Sequence, residues 1–248
     1  MPIDTSSLTT QQQATAIYVA YFDRAPDPAG LEFWTEQLEG GQSLAEVATT
    51  FSNAAETKEK FPFFDAPDTA SGSDFIDQVY DNLFNRPPDT AGKDFWTNEL
   101  ESGSTPVGEI ILAIIQGAQD QASGGFPDSE TVNNKIEVGL DWVESATAAG
   151  IGADGERIAE EDADGNFVIN NPDAFNSATS VLDVVDGTDA SVADAQDSTD
   201  AFFAGTDPAL TGETPTLTEA LNNLSTAETS LSDRLAELDV DTDGDGEV

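Results

Sequence analysis

Apolar positions recur along the first half of the chain with helical spacing. Ile17, Tyr18 and Tyr21 share one face of a segment over about 9–22, and Phe75, Val79, Leu83 and Phe84 do the same over 74–85. Each is followed by a second stripe, Phe33-Trp34-Leu38 and Phe95-Trp96-Leu100. Asp27 and Asp89 stand where an N-cap carboxylate meets free backbone N–H groups, and Pro28 suits the first helical position. Gly40-Gly41 and Ser102-Gly103 stop these helices. Ser43 with Glu46 three residues on has capping-box spacing for a third helix; Thr105-Pro106 and Glu109 stand at the matching place later. Further helices are predicted over 172–185 and 191–204, with polar turns at Asp154-Gly155 and Asp162–Asn166. Over 216–238, Leu217, Leu221, Leu224, Leu231, Leu235 and Leu238 form a heptad seam broken only at Glu228. That seam reads either as an amphipathic helix on its own domain or as a coiled coil with a partner chain.

The pattern is an internal repeat. Tyr18, Arg24, Pro26, Asp27, Ala29, Gly30, Phe33, Trp34 and Leu38 recur 62 residues later as Tyr80, Arg86, Pro88, Asp89, Ala91, Gly92, Phe95, Trp96 and Leu100. After one inserted residue, Glu46, Val47, Phe51 and Ala55 align with Glu109, Ile110, Ile114 and Ala118. The expected fold is all-α. Two three-helix repeat units, about 12–60 and 74–122, form an N-terminal helical domain over 8–150 with a connecting helix. An acidic helical region follows over 151–248.

Charge narrows the setting. The 248 residues hold 49 Asp and Glu against eight Lys and Arg, a formal net charge of −41. Such a chain repels nucleic acid and anionic lipid, and its carboxylates repel one another unless salt or cations intervene. The acidity is densest after Gly150, with 24 acids and two basic residues. There is no Cys and no His, which removes disulfides, thiolate metal sites and imidazole chemistry. No apolar run is long enough to insert into a membrane, and the start lacks the basic and apolar regions of a signal peptide. The expected location is therefore extracellular, secreted or on the cell surface without a cleaved N-terminal signal peptide, or else cytoplasmic.

The R-x-P-D-x-A-G-x-x-F-W unit resembles a helical domain of unknown function found in RTX-type, type I-secreted and surface-layer proteins of Gram-negative bacteria and cyanobacteria. Residues 132–140 are similar to the N-K-x-E-V-G stretch that follows those repeats, and 189–195 to their downstream helix. The repeat also bears a weaker similarity to phycobilisome linker domains. The resemblance implies export by a type I system, an extracellular home, frequent calcium dependence and, in some members, attachment to lipopolysaccharide. The chain departs from RTX proteins in lacking G-G-x-G-x-D-x-U-x repeats.

Candidate sites follow. Arg24 and Arg86 read first as structural ion pairs, with Glu46 or Glu109 as partners, and second as contacts for an acidic sugar or phosphate. Trp34 and Trp96 read as core residues or as platforms for a sugar ring. Asp239, Asp241, Asp243 and Asp245 alternate before glycines as a Ca²⁺ loop requires, although the closing Glu of such a loop would fall at 250; the alternative is a solvated tail. Asp162, Asp164 and Asn166 form a weaker Ca²⁺ candidate, with Asn171 where the loop's Glu should be. With so many acids, no carboxylate pair singles itself out for catalysis. The expected protein is no enzyme but a surface-layer or matrix-type structural protein. Ca²⁺ is its expected cofactor; its expected partners are itself and lipopolysaccharide or exopolysaccharide. The alternative is a glycan- or protein-binding module of a larger secreted protein.

Overall fold

A computed structural model describes residues 8–67, 71–120, 128–152, 155 and 157–205, the side chains of 118–120 excepted. The chain is all-α, with ten helices among the described residues. The first copy contributes α1 (Thr10–Phe22), α2 (Pro28–Glu39), α3 (Leu44–Phe51) and a short α4 (Ala55–Lys60). The second contributes α5 (Ser73–Phe84), α6 (Thr90–Ser102) and α7 (Val107–Asp120), followed by the long α8 (Asp128–Ala148). A two-stranded antiparallel hairpin, β1 (Ala159–Glu161) and β2 (Phe167–Ile169), precedes α9 (Pro172–Asp183) and α10 (Asp189–Phe203). Each three-helix unit therefore leads into a fourth helix, which the repeat pattern does not mark because α4 and α8 share little sequence.

The helix ends obey the chemistry of their caps. Asp27 and Asp89 accept from the backbone N–H of Gly30 and Gly92, each at 2.8 Å. Ser43 and Glu46 form the expected reciprocal box. Helices α1 and α5 stop at the same repeat position, where Asp23 (φ 50°) and Asn85 (φ 53°) adopt the left-handed conformation. Asp and Asn tolerate that conformation better than other non-glycine residues.

Counterpart helices pack on each other. Helix α1 lies against α5, and the Asn82 side chain donates to the Ala20 carbonyl across the crossing at 3.0 Å. Residues 20 and 82 occupy one repeat position. Helix α3 lies against α7, where Gly108 meets Ala45, again one position of the repeat. A Cβ at Gly108 would fall 2.0 Å from the Ala45 carbonyl oxygen, so the two backbones can approach only because residue 108 lacks a side chain. Helix α8 then spans both copies, touching α1, α2 and α5, and packs on α9 and α10 as well. Buried Trp142 of α8 donates to Ser177 of α9 at 3.0 Å. One hydrophobic core runs from α1 to α10, and the described residues through Ala204 lie in one unit. The step in charge density near residue 150 is therefore a change of surface, with no break in the core beneath it.

The leucine seam over 216–238 and Asp239, Asp241, Asp243 and Asp245 lie outside the described residues.

Two glycines of α7 give a matched test. Gly108→Ala should destabilise by about 1–3 kcal/mol through overpacking against backbone. Gly117→Ala, with nothing within 4 Å of the new Cβ, should be neutral or stabilising by up to about 1 kcal/mol. Urea midpoints at constant slope measure both.

Candidate functional site

The repeat's arginine stands just after α1 and α5, at the turn into the next helix. Arg24 forks onto Glu56 in the first turn of α4, Nε to Oε1 at 3.2 Å and Nη2 to Oε2 at 2.9 Å, and its Nη1 donates to the Ala25 carbonyl at 3.1 Å. Arg86 repeats the arrangement on Asp128, the first residue of α8, with Nε to Oδ1 at 2.9 Å, Nη2 on Oδ2 and Nη1 on the Pro87 carbonyl. The structural reading of these arginines holds, but the partners are Glu56 and Asp128. Glu46 is engaged by its own cap, 2.8 Å from Ser43 N and 2.7 Å from Ser43 Oγ. Glu109 lies in the first turn of α7. Glu56 and Asp128 do not align as repeat positions, which hid them from sequence comparison. What they share is a place at a helix N-terminus, where a carboxylate also meets the positive end of the helix dipole.

The first clamp is the drier. Side-chain exposure is 3% for Arg24 and 6% for Glu56, against 26% for Arg86. Burial acts to lower the basicity of Arg24, but Glu56 outweighs it and holds the guanidinium above its ordinary pKa. Rings of Tyr18, Phe22 and Phe175 lie 5.1–5.4 Å from its carbon, within cation–π range. Two lysines extend the scheme. Lys60 donates to the Phe22 carbonyl at 3.0 Å, at the end of α1. Lys135, 1% exposed, donates to the Asn82 carbonyl at 2.7 Å in the last turn of α5 and to Asp23 at 3.2 Å. Each places a cation at the negative end of a helix.

Above the first clamp lies a cleft of about 300 Å³. Tyr18, Phe22 and Phe51 line it with Trp34, and the β1–β2 hairpin closes the opposite side through Ala159 and Phe167. Asn53, Arg157, Glu160 and Glu161 supply polar groups. Trp34 is half-buried, its ring 5.0 Å from Phe51 and 4.8 Å from Phe33. Arg157 sits over Phe33 at 5.2 Å. The sequence motif thus brings Arg24 and Trp34 to one site, but the hairpin wall and Arg157 come from outside the repeat and carried no motif. Arg86 and Trp96 make the equivalent pair in the second copy; Trp96 stands 4.7 Å from Phe95, which is 54% exposed.

Asp162 and Asp164 lie in the hairpin turn, as the polar turn signal predicts. Asp162 Oδ1 accepts from the backbone N–H of Asp164 and Asn166, both at 2.9 Å, and these bonds hold its pKa below the usual value. Asn171 caps α9 by accepting from Ala174 N at 3.1 Å. Among the described residues, no three acidic side chains converge on a point that would hold a metal.

Fold and clamps together define an all-α module built of two copies of one repeat. Residues 4–61 and 64–123 match the family model of the Domain of unknown function (DUF4214). An S-layer protein of Synechocystis sp. (strain ATCC 27184 / PCC 6803 / Kazusa) is 27% identical over 144 residues, which take in 55% of this chain and 8% of that relative. No solved structure matches the chain.

Two measurements check the clamp. Glu56→Ala leaves the Arg24 charge buried and unpaired and should cost about 3–5 kcal/mol. Asp128→Ala, beside the wetter Arg86, should cost less, about 1–3 kcal/mol. Burial also raises the pKa of the Asp27 cap above 3.8, despite relief from Arg24. Between the ordinary and the raised value the folded state binds more protons than the unfolded one, so stability falls as pH rises through that window. Asp27→Asn keeps the capping oxygen and removes the titration. The stability of the wild type relative to this variant should therefore increase as pH is lowered from about 6 to about 4.

Proposed function

We propose that this chain is a non-catalytic structural and anchoring module of surface-layer or matrix type, which works outside the cell. The observation that carries the reading is the 144-residue similarity to an S-layer protein. The clamps support it physically. The motif's charged groups are spent on holding helices together, as expected of a scaffold that presents its outer surface to partners. That surface is acidic, and divalent cations bridging carboxylates would relieve repulsion between neighbouring copies. In this reading Ca²⁺ drives self-assembly or attachment to lipopolysaccharide or exopolysaccharide, and export follows a type I route.

A second reading, a glycan-binding module of a larger secreted protein, is favoured by the cleft. A half-buried Trp34 beside Asn53, Glu160 and Glu161 is the combination a sugar ring uses, an aromatic face with hydrogen-bonding groups around it.

Light scattering and negative-stain microscopy across a Ca²⁺ titration, from chelator to millimolar concentrations, test the first reading, with Mg²⁺ at equal ionic strength as control. Growth into sheets or filaments is expected with Ca²⁺ alone, near the roughly 0.1–1 mM range of extracellular calcium sites. An unchanged monomer in both salts overturns it. Saturable binding of isolated polysaccharide by that monomer, lost in Trp34→Ala, would establish the second reading.

A further inference from the structure

The two copies treat one groove differently. In the first copy, the groove between α1 and α2 is filled by α8, which packs on both helices. Gly139 of α8 lies so close that a Cβ there would be 3.0 Å from Thr15 Cγ2. Thr15, Ala16 and Val19 of α1 and Leu31 of α2 are buried accordingly. Their counterparts in the second copy are Asp77, Gln78 and Asp81 of α5 and Lys93 of α6. Helix α1 is thus buried along most of its length on every side, whereas α5 keeps one face open, with Asp74, Gln78 and Asp81 exposed. A groove of about 600 Å³ lies between α5 and α6, lined by these residues together with Asp77, Lys93 and Pro88.

We propose that the α5–α6 groove docks a helix of another protein, one that carries lysine or arginine on the face it inserts. The fold supplies the precedent, since the same groove in the first copy seats a helix. The substitutions supply the chemistry. Three aspartates face one lysine, and that lysine is paired with Asp77. Asp74 and Asp81 remain without an ion pair among the described residues. They stand seven residues apart on α5, roughly 10 Å along its axis, so the matching partner presents two basic residues a heptad apart. A second copy of this chain is the poorer occupant. Its 49 acids against eight basic residues would bring like charge into an acidic groove.

A peptide tests the assignment. The probe carries the α8 sequence, 128–148, with Gly139→Lys and Ala146→Lys, two buried positions a heptad apart, the first of them against α1 in the fold; the unaltered α8 peptide is the control. Binding to the full chain is read by fluorescence anisotropy at about 0.15 M salt, where the Debye length is roughly 8 Å and diffuse attraction is short-ranged. The basic peptide should bind saturably and the control should not. Charge reversal in the groove, Asp74→Lys with Asp81→Lys, should weaken binding by about tenfold or more. An equal reversal on α10, Asp194→Lys with Asp197→Lys, should change it by less than about twofold. Equal loss from both double variants would reduce the effect to net charge and overturn the proposal, as would failure of the basic peptide to bind. Sedimentation velocity covers the remaining occupant. Self-association of the wild type that the groove reversal abolishes would assign the groove to a second copy instead.

Discussion

A guanidinium buried in a chain of net charge −41 needs a carboxylate held still, and the fold provides one at the start of a helix in each copy. Arg24 and Arg86 sit at the turn between the first two helices of a unit, and Glu56 and Asp128 open the helix that follows the third. The fork therefore ties the beginning of a unit to the helix after its end. The same turn holds the Asp27 and Asp89 caps, and the rings of Tyr18 and Tyr80 lie 5.1 and 5.7 Å from the two guanidiniums. Removing the charge of one partner leaves the other in a dry site among aromatic rings, which is why the clamp constrains the structure more than its single ion pair would on a surface.

Helix α8 carries the arrangement beyond the repeats. Asp128 anchors it to the second copy, Lys135 reaches the ends of both α1 and α5, and Gly139 and Trp142 seat it against α1 and α9. The basic residues of a very acidic protein are thus concentrated at helix ends and clamps, with Arg24, Lys60, Arg86 and Lys135 all bonded within the fold. Among the described residues most of the carboxylates they leave over face outward, the buried Asp27 cap excepted, and the functional proposals rest on that outward surface and on the two recesses beside the repeats.

Much of this was legible in the chain itself. Caps, stops and the repeated stripe located the helices, because Asp27, Ser43 and Gly103 act through local backbone geometry. The structural role of the arginines was legible too, since cations are scarce here. Their partners were not, because Glu56 and Asp128 occupy unaligned positions and are equivalent only in topology. The hairpin wall of the cleft was hidden for a similar reason: β1 and β2 have three residues each, too few for an alternating pattern to register. The difference between the two grooves needed both, the repeat to define equivalent positions and the fold to show that α8 fills only one of them.

The contacts of counterpart helices set a limit on how the unit can be extended. Helix α1 meets α5 at residues 20 and 82, and α3 meets α7 at residues 45 and 108, so each copy spends the same faces on the other. Tandem repeats that stack end to end leave a free face for the next member and can grow without bound. Here the arrangement closes after two, as a symmetric dimer does. A longer protein using this repeat would have to string together finished pairs, and its length would count in twos.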